Sequence, residues 1–164
     1  MRSTWFWPGL TAAVSVGIGV GGKLAIGSVY HKVEAIQLIE TLASAGLYLG
    51  SAIATASATI LALMLTLLGL TRRSDSDFDS EVYRQIASVS NLATYSLLGS
   101  LLLLVVLVLP IGEFEEVPAN WFPTLYNILF GMIIGISSLL AATVVMLLLT
   151  VRRVVAGITP GDDL

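Results

Sequence analysis

Charged residues fall in clusters along the chain, and between the clusters lie four stretches that carry no charge: 3–22, 41–71, 85–112 and 117–151. Each matches or exceeds the ~18–20 residues that a helix needs to cross hydrocarbon. The pattern predicts four transmembrane helices at about 6–27, 34–71, 80–110 and 121–152, and so an all-α, integral membrane four-helix transmembrane bundle. The whole chain, 1–164, is expected to be one transmembrane domain. A cytoplasmic loop at 74–80 and a cytoplasmic tail at 154–164 are too short to fold alone.

The helix boundaries follow from local chemistry. Pro8 is tolerated in a first turn, where its missing N–H would be unpaired anyway. Asp79 or Ser80 supplies an N-cap for the third helix and Glu81 an acidic first turn, while Pro110 stops it. Asn120 caps the fourth, with Pro123 inside its first turn. The third helix has a polar first half (Ser88, Ser90, Asn91, Thr94, Tyr95, Ser96, Ser100) and an aliphatic second half, 101–109. That contrast predicts a first half buried in protein and a second half facing lipid. Trp5, Trp7, Trp121, Phe122 and Tyr126 suit the membrane interface.

Small residues recur at steps of four in several helices. Gly9, Ala13, Gly17, Gly21 and Ala25 form such a face in the first, Gly46 and Gly50 in the second, and Asn127, Gly131 and Gly135 in the fourth. Faces of this kind let helix backbones approach closely in lipid, where no hydrophobic drive exists between helices. Lys23 is the one charge inside the first apolar segment, and snorkelling to the interface accounts for it.

The second helix carries a polar seam within a span of membrane length. Gln37, Thr41, Ser44, Tyr48, Ser51, Thr55, Thr59 and Thr66 recur at helical steps, so at 100° per residue they share one face. Glu34 and Glu40 flank its beginning. The opposite face carries Ile39, Leu42, Gly46, Leu49, Ile53, Ile60 and Met64. Two readings compete. The hydroxyls could line a narrow aqueous path about an oligomer axis, or they could bond neighbouring helices and their own i−4 carbonyls as packing groups. Along the first, the aliphatic Ala62, Leu63, Met64, Leu65 and Leu67 form a dewetted constriction.

Composition sharpens the class. Of 164 residues 56% are hydrophobic and 12% charged, and the mean hydropathy is +0.92, well outside the range of soluble domains. There is no cysteine and a single histidine, which removes disulfides and thiolate chemistry. No glycine-rich phosphate loop, HExxH or GxSxG pattern occurs. No enzymatic activity and no cofactor are expected. His31 and Glu34 lie one helical turn apart, but a solvated loop explains them better than a metal site. Six arginines end the apolar runs rather than forming a basic patch, so nucleic acid is not an expected partner.

The basic residues also orient the chain. Arg2, Arg72, Arg73, Arg84, Arg152 and Arg153 fall on one side of a four-span arrangement, which places both termini in the cytoplasm of a cell inner (plasma) membrane. Glu34, Glu40, Glu113, Glu115 and Glu116 would then form an acidic outer mouth that favours cations. The second and fourth helices share a rough ending, with Ala58-Thr59-Ile60-Leu61 before Arg72-Arg73 and Ala142-Thr143-Val144-Val145 before Arg152-Arg153, a weak trace of duplication. The expected protein is a multi-pass homo-oligomer in the lipid bilayer, conducting cations through a channel or pore lined by the second helix. The alternative is a non-conducting structural or accessory subunit that packs through its small-residue faces.

Overall fold

The computed structural model describes residues 6–26, 32–73, 80–109 and 121–158. Four helices follow in order: α1 (Phe6–Ile26), α2 (Lys32–Arg73), α3 (Ser80–Val108) and α4 (Trp121–Ile158). The protein is an all-α four-helix bundle. Three stretches are long and apolar enough to cross a membrane: Thr41–Leu70 in α2, Glu81–Val108 in α3 and Pro123–Val155 in α4. α1 is shorter, 21 residues interrupted by glycines, and is not among them.

Helix ends obey the local chemistry. α3 closes with a tightened turn, the Leu109 N–H donating to the Val106 carbonyl (3.3 Å), because Pro110 disfavours helical geometry at the residue before it. At its start Glu81 pairs with Arg84 and accepts from Gln85 Nε2. α4 continues to Ile158 rather than ending near 152, since Val154 and Val155 offer nothing to break a helix. At ~1.5 Å per residue the 42 residues of α2 reach about 63 Å, twice a hydrocarbon core of ~30 Å. The first nine, 32–40, precede its apolar span.

The core is built by α2, α3 and α4, and α2 and α3 present buried residues at alternating steps of three and four. On α2 these are Gly46, Gly50, Ile53, Ser57, Ile60 and Met64; on α3 they are Val89, Ala93, Ser96, Ser100, Leu103 and Leu107. This is the periodicity of left-handed, knobs-into-holes packing. The glycines fix the register. A Cβ added to Gly46 would lie 2.8 Å from Leu107 Cδ1, and one added to Gly50 would lie 3.0 Å from Leu104 Cδ2 and 3.8 Å from Leu103 Cδ2. α2 and α3 are therefore antiparallel, with Gly46 facing Leu107 and Gly50 facing Leu104 and, farther off, Leu103. α4 closes the third side, Ile133 reaching to 3.3 Å from the Gly46 position.

Burial on α3 follows this stripe and not the two halves of the helix. Ser96, Ser100, Leu103 and Leu107 are all interior, while Tyr95, Leu98, Leu102 and Val105 face outward. The expected division into a protein-facing first half and a lipid-facing second half is thus replaced by two faces, because a helix meets its neighbours along its length.

α1 leans on α4, and the close approach is at Gly19, where an added Cβ would fall 2.5–3.0 Å from three atoms of Ile134. Gly9, Gly17 and Gly21 would meet nothing within 4 Å. A Gly19→Leu variant should therefore lose about 1–3 kcal/mol through overpacking, lowering the thermal midpoint in detergent by several degrees. Gly17→Leu, on the free face, should leave the midpoint within a degree or two of the parent; equal losses at the two positions would show that Gly19 makes no special contact.

Candidate functional site: the outer face of α2

α2 spends its aliphatic face on the core and turns its hydroxyl seam outward. Ile53, Ile60 and Met64 are buried, whereas Thr41, Ser44, Tyr48, Ser51, Thr55, Thr59 and Thr66 are exposed, Tyr48 to 81%. The backbone at Glu34, Gln37 and Glu40 is helical, but their side chains lie outside the described set, and Glu113, Glu115, Glu116 and His31 lie outside the described residues.

The seam hydroxyls bond along their own helix. Ser51 Oγ donates to the Tyr48 carbonyl, Thr55 Oγ1 to Ser51 and Thr59 Oγ1 to Thr55, each at 2.9 Å, and Thr66 Oγ1 to Ala62 at 3.0 Å. None of these four bonds crosses to a neighbour, so Ser51, Thr55, Thr59 and Thr66 do not hold this bundle together through their hydroxyls. A hydroxyl whose proton goes to a carbonyl keeps lone pairs on its free side, and toward the outside it acts as an acceptor. The outer face of α2 is a ladder of acceptor oxygens.

Small residues fill the gaps in that ladder. Ala45, Ala52, Ala58, Ala62 and Gly69 are exposed among the hydroxyls. The outer face of α3 has a different character, with Leu98, Leu101, Leu102, Val105 and Val108 turned outward. Large aliphatic groups suit lipid tails, whereas small and hydroxyl-bearing ones suit another helix or water. Among the aliphatic residues near the arginine end, Ala62, Leu63 and Leu65 face out, but Met64 belongs to the core and Leu67 packs against it. Any constriction on this face rests on Ala62, Leu63 and Leu65.

The small-residue faces divide similarly. Gly46 and Gly50 are used inside the bundle; Gly9, Gly17, Gly21, Gly131 and Gly135 have nothing within 4 Å of an added Cβ, and Ala13 is exposed. Thr59 and Thr143, matched in the rough repeat of α2 and α4, face opposite ways, one exposed and one fully buried. That speaks against duplication.

The arginines gather at one end. Met64, Ile86 and Met146 share a single apolar cluster; Arg72 and Arg73 follow Met64 on α2, Arg152 and Arg153 follow Met146 on α4, and Arg84 precedes Ile86 on α3. Lys23 sits in the last turn of α1 and is exposed. The sequence placed Ser96 in the half of α3 expected to be buried, and it is buried, but it missed the buried Ser57 of α2, because nothing in a single chain tells an inward serine from an outward one.

No family model matches the chain, and no curated protein or solved structure matches it either. What the fold defines is a small membrane protein with three helices of spanning length.

Because the seam hydroxyls satisfy themselves, Thr55→Val and Thr59→Val should change the unfolding midpoint in detergent by no more than a degree or two. A loss above about 1 kcal/mol, the worth of an ordinary hydrogen bond, would mean that these hydroxyls hold a partner after all.

Proposed function

We propose that the protein self-associates in the plasma membrane through the outer face of α2, and that the hydroxyl ladder from Thr41 to Thr66 lines a cation path along the oligomer axis. One observation carries this reading: the middle of α2 turns a stripe of small and hydroxyl-bearing residues outward, with leucines such as Leu49 and Leu63 only at its sides, where the second half of α3 turns leucine and valine outward. A lone bundle would set that polar face against lipid tails. A ring of copies sets it against itself.

Charge type follows from the hydrogen bonding. Hydroxyls that have committed their protons to carbonyls offer lone pairs to the axis, which suits a cation and offers an anion nothing. Glu34 and Glu40 at the start of α2, with Glu113, Glu115 and Glu116 between α3 and α4, would concentrate cations at one mouth. The arginine-rich end is cytoplasmic in this reading, and α1 makes a fourth crossing that puts both termini there.

A second reading rests on the alanines. Ala45, Ala52, Ala58 and Ala62 let two α2 helices approach closely enough to exclude water, giving a non-conducting structural or accessory subunit.

Cysteine variants separate these readings from each other and from neither, because the chain has no native cysteine. Thr55→Cys should cross-link between copies on mild oxidation in membranes, whereas Leu102→Cys on the outer face of α3 should not. Absence of a Thr55→Cys cross-link would remove self-association through this face.

Reconstituted protein should pass potassium or sodium but not chloride, and a charged thiol reagent should label Ser51→Cys and Thr55→Cys faster than Leu102→Cys and block the flux. Cross-linking without flux would select the packing reading.

A further inference from the structure

We propose that Ser57 of α2 and Ser96 of α3 bind a single internal water molecule between the two helices, at the layer where the bundle core divides. This is a second polar site, on the opposite side of α2 from the hydroxyl ladder and independent of any role for that ladder.

Three observations converge. Ser57 and Ser96 are both 0% exposed, and the Oγ atom of each is buried without a hydrogen-bond partner. Four other buried hydroxyls of the interior are satisfied within their own helices: Ser100 donates to the Leu97 carbonyl, Ser138 to Ile134, Thr143 to Leu139 and Thr150 to Met146. Ser137 of α4 shares the unpartnered state of Ser57 and Ser96. A serine on a helix can always take the local option, so serines that forgo it have their oxygens directed elsewhere, and Ser57 and Ser96 are the two on the facing stripes of α2 and α3.

The antiparallel register then places the two together. With Gly46 opposite Leu107 and Gly50 against Leu104 and, farther off, Leu103, carrying the Gly46–Leu107 pairing along the two buried stripes brings Gly50 to Leu103, Ile53 to Ser100, Ser57 to Ser96, Ile60 to Ala93 and Met64 to Val89. The last two pairs share one apolar cluster, as the register requires.

Room is the third point. Along this interface a small residue on one helix generally meets a larger one on the other, in the pairs Gly46 with Leu107, Gly50 with Leu103, Ile53 with Ser100 and Ile60 with Ala93. Only at Ser57 and Ser96 does small meet small, and the two oxygens do not bond each other directly. The apolar core also splits here, into a cluster around Ile60, Met64 and Met146 and another around Ile53, Leu103 and Leu129, with Leu140 of α4 touching both. Polar lining and spare volume are the conditions under which a buried site holds water. One molecule accepting from one serine and donating to the other satisfies both hydroxyls.

The test is solid-state NMR of the full-length protein in bilayers, following magnetisation transfer from water into the α2–α3 interface. Ser57 and Ser96 should receive it and Ile60 and Leu103 should not; in Ser96→Ala the transfer at Ser57 should fall at least severalfold. Thermal unfolding gives the companion measurement. Ser57→Ala and Ser96→Ala should each lower the midpoint, and the double variant should fall no further than the worse single one, since removing both leaves no orphaned hydroxyl. Serines as dry as Ile60 and Leu103, transfer at Ser57 that survives Ser96→Ala, or strictly additive losses would each overturn the proposal. Thermal coupling without water transfer would overturn it too, in favour of a direct serine–serine bond.

Discussion

The bundle depends on how closely α2 and α3 approach. Gly46 and Gly50 admit Leu107, Leu104 and Leu103 into the space their missing side chains leave, and in lipid such interlocking stands in for the hydrophobic effect that joins helices in water. The same contact sets the antiparallel register and decides which face of α2 is consumed by the fold. The other face is left outside by consequence. The outward hydroxyl ladder is thus tied to two glycines on the far side of the same helix.

Two populations of hydroxyl result. Those on the outer face of α2 and most of those in the interior donate along their own helices and ask nothing of a neighbour. In hydrocarbon that self-sufficiency matters, because an unpaired polar group has no water to turn to. Ser57, Ser96 and Ser137 depart from it, their Oγ atoms buried with no hydrogen-bond partner. A helix face bearing self-satisfied hydroxyls can be set against another helix or water at little cost, and this freedom lets one face serve either packing or conduction.

Much of the helical framework could be read from the residues. The uncharged stretches, the proline stop at Pro110 and the acidic first turn of α3 reflect local rules and the absence of water in a bilayer. The face shared by Thr41, Ser44, Tyr48, Ser51, Thr55 and Thr59 was equally legible, since helical periodicity alone puts them together. Other features were not. The glycine series from Gly9 to Gly21 is as regular as any close-packing face, yet the close contact on α1 is at Gly19, off that series. α3 has polar residues crowded into its first half, but burial follows a stripe along its whole length. A small residue permits close approach without saying whether a neighbour will take it up.

Sequence by itself determined that the chain is helical and that α2 has a hydroxyl face and an aliphatic one; it predicted four membrane spans, of which three stand as helices apolar and long enough for a membrane. These are properties of one helix at a time, fixed by composition and periodicity. Tertiary structure decided which face turns inward, that Gly19, Gly46, Gly50 and Gly99 rather than Gly9, Gly17 or Gly21 are closely packed, and that Ser57 and Ser96 are both buried. Those outcomes depend on the register between helices, which is set by complementary volumes on two separate segments and is written in neither segment alone.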